Sequence, residues 1–317
     1  MKRLLKIVLI LILLGSAAIF LENRYINIVP DGNKLIIDED AVNESWQIVQ
    51  YGDDNGNQMM CYTIEGNKHG LVIVDGGYYD DEPQAEYVRK MIKDNGGKVD
   101  AWILTHFDSD HAGLFEKIEE TNPEFKINEL YIQDVPNDIE LLKENAPWEE
   151  EFDTFEKFNN SNYTNIGKIN KVHAGDEYDF IGLKMKVLSS YDEWIDEESN
   201  NLLNNGSIIF KLYGNNESMI FCSDVQDKKI AEYIMENYGD DIPSDYIQVG
   251  HHGNNSFPKE FYELVNPKIA FFPAPTWLMD NISGIEWFTV GTIREWFKEM
   301  NTQIYWHKDT PASVIMY

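Results

Sequence analysis

The stretch "THFDSDHAG", Thr105–Gly113, decides the interpretation of this sequence. Within six consecutive positions it carries four side chains that can bind a cation, in the order H-x-D-x-D-H: His106, Asp108, Asp110 and His111. Acidic and imidazole groups this crowded repel one another or lose solvation unless a positive charge lies among them. Carboxylates combined with imidazoles suit zinc, manganese or iron(II). The stretch therefore indicates a metal site.

A helix cap is the competing interpretation of the same stretch. Asp108 and Asp110 could cap the helix predicted over "HAGLFEKIEE", Asp110 in particular, and His106 and His111 would then be merely exposed. The stretch follows "VDAWILT", a predicted buried strand, and loops at strand ends are where a rigid sheet holds functional groups in place. Taken alone, these residues leave both interpretations open.

Two later strand ends carry the same ligand chemistry and favour the metal site. "MIFCSDV" ends an apolar strand at Asp224, and "YIQVGHHGNN" ends another at His251 and His252. A lone histidine would mean little, but three strand ends with acids and histidines are hard to explain by chance. We therefore expect these strand ends to meet in the folded chain.

The order of predicted elements indicates two sheets. Strand-like segments followed by mixed strands and helices occur twice along the chain. "DEPQAEYVRKMIKDNGG" has the spacing of a helix and a Gly-Gly stop. In the second half, "YDFIGLKMKVLSS" is predicted as one strand, and "TQIYWH" is predicted as the last strand of the chain. This order fits two sheets packed face to face with helices outside.

Together, "THFDSDHAG", "NNGSIIFKLYGNNESMIFCSDV" and "VGHHGNNSF" resemble the metallo-β-lactamase superfamily. They are most similar to the branch that contains the hydrolase domain of the competence protein ComEC and the bacterial cell-surface phosphorylcholine esterases. The upstream "LVIVDGG" also matches. The resemblance covers residues 45–317 and implies an α/β fold, the four-layer αββα sandwich, with the metals at one sheet edge.

The resemblance also implies a role for each residue of the opening motif. His106 and Asp108 match positions that hold one divalent metal ion, and Asp110 and His111 match positions that hold a second. Asp224 matches the carboxylate that bridges the two ions. Zinc or manganese is the expected metal.

The remaining matches concern catalysis and support. His251 matches the late histidine ligand, and His252 is either a ligand or a contact for the leaving group of the substrate. Asp110 is expected to orient a water activated by the metal. Asp75 matches a carboxylate that supports the ligands from behind.

The sequence departs from the superfamily pattern at several places, and two of them concern the metal ligands. Asp108 replaces the second histidine of the common H-x-H-x-D-H motif, a feature shared with the ComEC branch. Asn204 and Asn205 stand where a further histidine is usual. Whether the site holds one divalent ion or two therefore stays open.

The amino terminus has the pattern of a membrane segment. Residues 1–24 begin with Lys2 and Arg3 and continue as an apolar run over 7–21. This predicts an uncleaved transmembrane anchor with the remainder of the chain outside the cytoplasm. The small residues Ser16–Ala18 leave a cleaved signal peptide as the alternative.

The predicted organisation then continues with a linker over 25–44 and a metallo-β-lactamase-fold domain over 45–317. The expected location is the cell membrane, single-pass with an extracellular catalytic domain, or the exterior if the segment is cleaved. The formal net charge of −29 disfavours a nucleic-acid partner, because phosphate binding depends on Lys and Arg.

These observations predict an extracytoplasmic metal-dependent hydrolase, a phosphodiesterase acting on a small-molecule or cell-envelope phosphodiester. Two alternatives stay open. One is a catalytically impaired, surface-anchored binding protein of the same fold, suggested by the missing histidine. The other is a nuclease similar to ComEC.

Overall fold

Two mixed sheets lie at the centre of the structure. The computed structural model describes residues 44–317 except 54, 69 and 147–151. In this part of the chain the first sheet contains β1 (Trp46–Tyr51), β2 (Cys61–Gly66), β3 (Leu71–Asp75), β4 (Lys98–Leu104), β5 (Lys126–Gln133), β6 (Ile166–Val172) and β14 (Ala312–Met316). The second contains β7 (Glu177–Phe180), β8 (Leu183–Ser189), β9 (Ile209–Tyr213), β10 (Ser218–Phe221), β11 (Tyr246–Gln248), β12 (Ile269–Phe271) and β13 (Gln303–Tyr305).

Both sheets follow one plan. The first has the order β14-β1-β2-β3-β4-β5-β6 and the second the order β13-β12-β11-β10-β9-β8-β7. In each sheet the antiparallel strands are followed by parallel pairs, β3-β4-β5-β6 in one and β10-β11-β12-β13 in the other. Parallel strands end at the same sheet edge, so residues that follow them can meet there.

Helices connect the strands and cover the sheets. The described helices are α1 (Glu82–Asp94), α2 (Ser109–Thr121), α3 (Ile139–Asn145), α4 (Asp153–Asn160), α5 (Glu193–Glu198), α6 (Leu202–Asn205), α7 (Lys228–Tyr238), α8 (Lys259–Val265), α9 (Thr276–Met279) and α10 (Val290–Glu299). In the part of the chain that the structure describes, none of them has the length and apolar composition needed to cross a membrane. The segment predicted over residues 1–24 lies outside the described residues.

Alternating side chains divide the core into layers. In β3, Val72 and Val74 pack with one buried cluster and Ile73 packs with the other. The first cluster gathers inward-facing residues of both sheets, including Trp46 and Phe221, and the second gathers the opposite sheet faces with the helices. Each fully buried aliphatic or aromatic side chain contributes roughly 1.5–3 kcal/mol. The arrangement confirms the predicted αββα sandwich.

Two predicted elements differ from the structure. The segment predicted as one strand is a hairpin, β7 and β8, because the chain turns at Ile181 and Gly182, whose φ values are +47° and +79°. The last strand is β14, not the strand over "TQIYWH", which is β13. In β14, Ala312 and Met316 are buried while Ile315 is exposed, and the strand pairs with β1 in the first sheet.

Candidate metal centre

The strand ends predicted to meet do come together. Side chains that follow β4, β10 and β11 converge there, and their potential ligand atoms form two overlapping groups in which all atoms lie within 4.8 Å of one another. The first group is His106, His111 and Asp224, and the second is Asp110, His111 and His252. Every one of these side chains is buried. We call the two groups together with Asp108 the metal cluster.

Two of the three aspartates of the cluster, Asp110 and Asp224, lie close to the imidazoles of His111 and His252. His111 Nε2 is 3.3 Å from Asp224 Oδ1 and 3.9 Å from Asp110 Oδ2. His252 Nε2 is 3.1 Å from Asp110 Oδ2 and 3.1 Å from Asp224 Oδ2. Each of the two carboxylates therefore lies close to both imidazole rings.

The helix-cap interpretation of the opening stretch does not hold. Helix α2 begins at Ser109, so Asp110 lies inside its first turn and Asp108 takes the N-cap position. The Asp108 side chain makes no capping hydrogen bond. Its Oδ2 lies 3.4 Å from His106 Nε2 instead, toward the cluster.

The buried polar atoms of the cluster show whether it suits a metal ion. Within the described residues, six of its buried nitrogen and oxygen atoms have no hydrogen-bond partner: His106 Nε2, Asp108 Oδ1, Asp110 Oδ2, His111 Nε2, Asp224 Oδ1 and His252 Nε2. Such atoms are costly in a folded protein unless something satisfies them. Imidazole and carboxylate donors together fit a divalent cation such as zinc or manganese.

Asp75 fixes the orientation of one ligand from behind. Its Oδ2 accepts a hydrogen bond from His111 Nδ1 at 2.7 Å, so the Nε2 of that ring faces the cluster. Its two oxygens also accept from the backbone N–H and the hydroxyl of Thr105, at 2.7 and 2.8 Å. A carboxylate behind a ligating histidine sets its tautomer and raises its basicity.

A buried network links the two sheets beneath the cluster. Ser223 Oγ donates to Thr105 Oγ1 at 2.6 Å and so joins the end of β10 to the end of β4. Gln248 Oε1 accepts from the backbone N–H groups of Cys222 and Ser223, at 2.8 and 2.7 Å. No motif or spacing in the sequence predicted a role for Thr105, Ser223 or Gln248 at this site. A buried glutamine in the otherwise apolar "YIQVG" was the signal for Gln248.

The late histidine of the cluster is His252, and His251 lies apart from it. The Nδ1 of His251 is 2.5 Å from the carbonyl oxygen of Asn254, and its Nε2 is 3.2 Å from the side-chain nitrogen of Gln226. His252 instead has its Nδ1 2.6 Å from the carbonyl oxygen of Pro273, which leaves Nε2 toward the acids. Of the two histidines that the sequence left open as the ligand, the structure places His252, and not His251, with the other candidate ligands. The backbone turns left-handed at both residues, so strand alternation does not predict their directions.

Electrostatics in the cluster favour positive charge. Burial opposes the charge on His252, but the carboxylates of Asp224 and Asp110 outweigh it and raise its pKa to about 10. Burial likewise opposes the charge on His111, and Asp224, Asp110 and Asp75 together raise its pKa well above the usual value. Protons hold the charge balance when no cation is bound, and binding a cation to the Nε2 atoms releases them.

The two asparagines at the position of the usual histidine have different surroundings. Asn205 Oδ1 accepts from the backbone N–H groups of Gln226 and Asp227, at 3.1 and 3.0 Å. Asn204 is buried, and its Oδ1 has no hydrogen-bond partner within the described residues. Asn205 therefore shapes the chain that follows Asp224.

Comparison with known proteins finds a family match over part of the chain. Residues 55–180 match the family model described as the metallo-beta-lactamase superfamily, a span that holds the opening motif and Asp75. None of the curated proteins compared with this chain matches it.

Two solved structures share the fold at low sequence identity. The metallo-beta-lactamase fold protein YhfI from Bacillus subtilis has a TM-score of 0.50 and 11% identity, over 86% of this chain and 99% of that protein. A mutant of CmlA, a beta-hydroxylase from Streptomyces venezuelae, has a TM-score of 0.50 and 10% identity, over 85% of this chain and 53% of CmlA. At these identities the likeness shows the fold and leaves the reaction to be argued from the site.

Proposed function

We propose that this protein is an extracytoplasmic, metal-dependent phosphodiesterase. The observation that carries the proposal is the set of six buried, unpartnered nitrogen and oxygen atoms that converge in the metal cluster. A divalent cation held there would lower the pKa of a bound water and would stabilise the negative charge that develops on a phosphoryl oxygen.

The residues of the cluster have separate roles in the proposed reaction. His106, His111 and His252 would present their Nε2 atoms to a bound cation, which would displace the protons held by His111 and His252. Asp224 contacts both His111 and His252 and holds the two parts of the cluster at a fixed separation. Asp110 Oδ2, beside His252 Nε2, is placed to orient the attacking water.

The phosphodiester substrate class rests on the donor set and on the sequence resemblance. Asp108 gives the first site a carboxylate where the β-lactamases have a histidine, so the site is richer in hard oxygen donors. The net charge of −29 argues against a DNA groove and favours a small or cell-envelope phosphodiester. The basic and apolar residues at the amino terminus support a membrane-attached or secreted enzyme.

Hydrolysis of bis-p-nitrophenyl phosphate tests the proposal. Purified protein with manganese or zinc should release p-nitrophenolate, and Asp110→Ala should lower kcat at least about 100-fold because the water loses its orienting carboxylate. Asp153→Ala is the matched control, since Asp153 is exposed at the start of α4. If the wild-type protein leaves the diester intact and Asp110→Ala behaves identically, the proposal is wrong.

A binding protein without catalysis is the second candidate, and one observation favours it. Asn204 and Asn205 leave the first site without the usual histidine. Metal analysis after purification without chelators separates the two candidates, because a binding protein that has lost the centre should contain no metal. Cleavage of single-stranded DNA, compared with release of soluble product from isolated cell walls, separates a nuclease from an envelope phosphodiesterase.

A further inference from the structure

A cleft of about 610 Å³ is lined by residues that lie close in sequence to the late residues of the metal cluster, Asp224 and His252. One part of the lining includes Gln226 and Lys228, which lie two and four residues after Asp224. Another includes Asn255, a few residues after His252. A molecule bound in the cleft therefore contacts the two chain segments that carry the late ligands of the cluster.

Contacts connect the cleft to the cluster and hold its walls in place. Gln226 touches His251, whose neighbour His252 belongs to the cluster. The Asn255 backbone N–H donates to Thr289 Oγ1 at 2.6 Å, while the Thr289 backbone N–H donates to Asn254 Oδ1 at 2.9 Å. These reciprocal bonds fix the wall before any ligand arrives, which reduces the entropy lost on binding.

The lining has a particular chemistry. Its polar groups are mainly neutral amides and hydroxyls, among them Asn200, Gln226 and Asn255, and its apolar part includes Phe257 and Trp296. Within the described residues, no hydrogen bond occupies the side chains of Asn200 and Asn255. Amides donate and accept at once, as the hydroxyl groups of a sugar or polyol do.

Other ligand classes fit this lining poorly. A polyanion such as nucleic acid would meet Asp227 and a single cation, Lys228, in a chain of net charge −29. A wholly apolar ligand would bury the amide groups without partners, which costs free energy for each of them. The mixture of amides with an aromatic side chain suits a neutral, hydroxyl-rich ring or chain.

We propose that this cleft binds a neutral, hydroxyl-rich group, a sugar or a polyol, whose phosphodiester is presented to the metal cluster. The inference rests on the proposed phosphodiesterase function and names the substrate class of that site. The side chains of Asn255 and Asn200 bind the hydroxyl groups, and Trp296 contacts their carbon skeleton.

Three matched diesters test the inference with manganese-loaded, full-length protein. Each is a 4-nitrophenyl phosphodiester, with methanol, glycerol or the 6-hydroxyl of glucose as the second alcohol. The glucose or the glycerol diester should have a kcat/KM at least about tenfold above that of the methyl diester, as one or two added hydrogen bonds predict. The better of the two identifies a sugar or a polyol as the ligand.

Variants of cleft residues test whether the preference for the glucose or glycerol diester arises in the cleft. Asn255→Gly removes the side chain but keeps a backbone with a φ of +47°, and it should lower the preference over the methyl diester about fivefold or more. Asn200→Ala, at an exposed position, should lower it in the same direction. Asn301→Gly is the matched control, since Asn301 is exposed and has a φ of +59°, and it should leave the preference unchanged.

Different experimental outcomes would overturn the cleft assignment and the proposed phosphodiesterase function. Equal kcat/KM values for the three diesters, or a preference that neither variant lowers, would overturn the cleft assignment in an active enzyme. If no diester is cleaved, the proposed function fails, and calorimetry with glucose 6-phosphate and glycerol 3-phosphate, each compared with inorganic phosphate, decides the cleft. Tighter binding of either organic phosphate, weakened by Asn255→Gly, supports the inference, and equal binding or none overturns it.

Discussion

Asp75 combines an unusual backbone conformation with three hydrogen bonds at the cluster. Its φ is +53°, a region that L-residues other than Asn, Asp and Gly rarely adopt. Its carboxylate accepts from His111 and twice from Thr105. An aspartate at this strand end therefore meets two requirements, a tolerated left-handed turn and an acceptor behind the ligand.

Asp75→Asn should weaken metal binding without altering the backbone. Asparagine tolerates the same φ, but its amide nitrogen replaces one of the acceptor oxygens that face His111 and Thr105. We expect a loss of about 10- to 100-fold in affinity for zinc or manganese, measured by competition with a chromophoric chelator.

Asp100→Asn is the control for that experiment. Asp100 Oδ2 accepts from the backbone N–H of Leu71 at 3.0 Å and its Oδ1 accepts from Lys98, so the change likewise replaces one of two acceptor oxygens, in the same sheet and away from the cluster. It should leave metal affinity unchanged. Equal affinity losses in both variants would mean that Asp75 acts only through general stability.

Only some residues of the cluster could be predicted from the sequence. The residue types and strand ends of the cluster were predictable, because acids and histidines directly after apolar strands are uncommon. The choice between His251 and His252 was not, since both residues have φ values near +50° and only the folded loop determines which ring faces Asp224. The supporting Ser223 and Thr105 are common residue types with no spacing signal of their own.

At the scale of elements, helix α2 joins the cluster to a partly buried acid on the same helix. Asp110 and His111 lie in its first turn, and Glu119 lies two turns further on. Burial raises the pKa of Glu119 to about 7, the hydrogen bond from Asn165 opposes this, and the charge of Glu116 adds to it. The protonated form of Glu119 is therefore the one that the folded state favours.

The pH dependence of stability should change in Glu119→Gln. The folded pKa lies above the unfolded value, so the favourable contribution is fully present below about pH 4.5 and is lost as pH rises through about 7. Glutamine stays neutral and accepts from Asn165 at every pH. From pH 5 to pH 8 the wild type should lose about 1 kcal/mol relative to the variant, after allowance for partial exposure.

Urea unfolding at the two pH values measures this difference. Titrating groups that do not interact with Glu119, including the cluster, contribute equally to both proteins and cancel. Glu86→Gln is the control, because Glu86 is an exposed acid on α1, and it should follow the wild type. A variant whose stability difference from the wild type is the same at pH 5 and pH 8 would contradict the prediction.

Element prediction succeeded where a local pattern decides the structure. Helix α1 follows from the apolar spacing of Ala85, Val88 and Ile92 and ends before Gly96 and Gly97, which both have positive φ. The β7-β8 hairpin was missed because its turn contains Ile181, a β-branched residue that normally indicates a strand. Strand β14 was missed because its partner β1 is distant in sequence.

At the scale of the whole molecule, Gln248 connects sheet packing to the cluster. Its side chain is fully buried, accepts from two backbone N–H groups and donates to the carbonyl oxygen of Val249 at 2.8 Å. One of those N–H groups belongs to Ser223, which reaches Thr105 on the other sheet and directly precedes Asp224. The relative position of the two sheets and the position of a ligand therefore share one network.

Gln248→Met should weaken both folding and metal binding. Methionine is similar in size but leaves two N–H groups and one carbonyl oxygen unpaired, which should cost about 3 kcal/mol or more of unfolding free energy. Metal affinity, measured with a chelator under conditions where the variant is folded, should fall about tenfold or more because Asp224 loses its fixed position.

Gln50→Met is the matched control for Gln248. Gln50 is also fully buried, but its Oε1 accepts a single hydrogen bond from Tyr62, at 2.5 Å. The change should cost about 1 kcal/mol and leave metal affinity intact. Unchanged metal affinity in Gln248→Met would place the network outside the positioning of the ligands.

The pairing of β14 with β1 has a consequence for how the chain reaches this structure. Trp46 pairs with Met316, so the first sheet is completed by residues that are synthesised after the whole second sheet. Until then β1 presents an open edge of unpaired backbone groups, the kind of edge that pairs with other chains. The long sequence separation also slows folding. A chain that folds as it is synthesised, amino end first, is therefore prone to aggregation through β1 until β14 is available to pair with it.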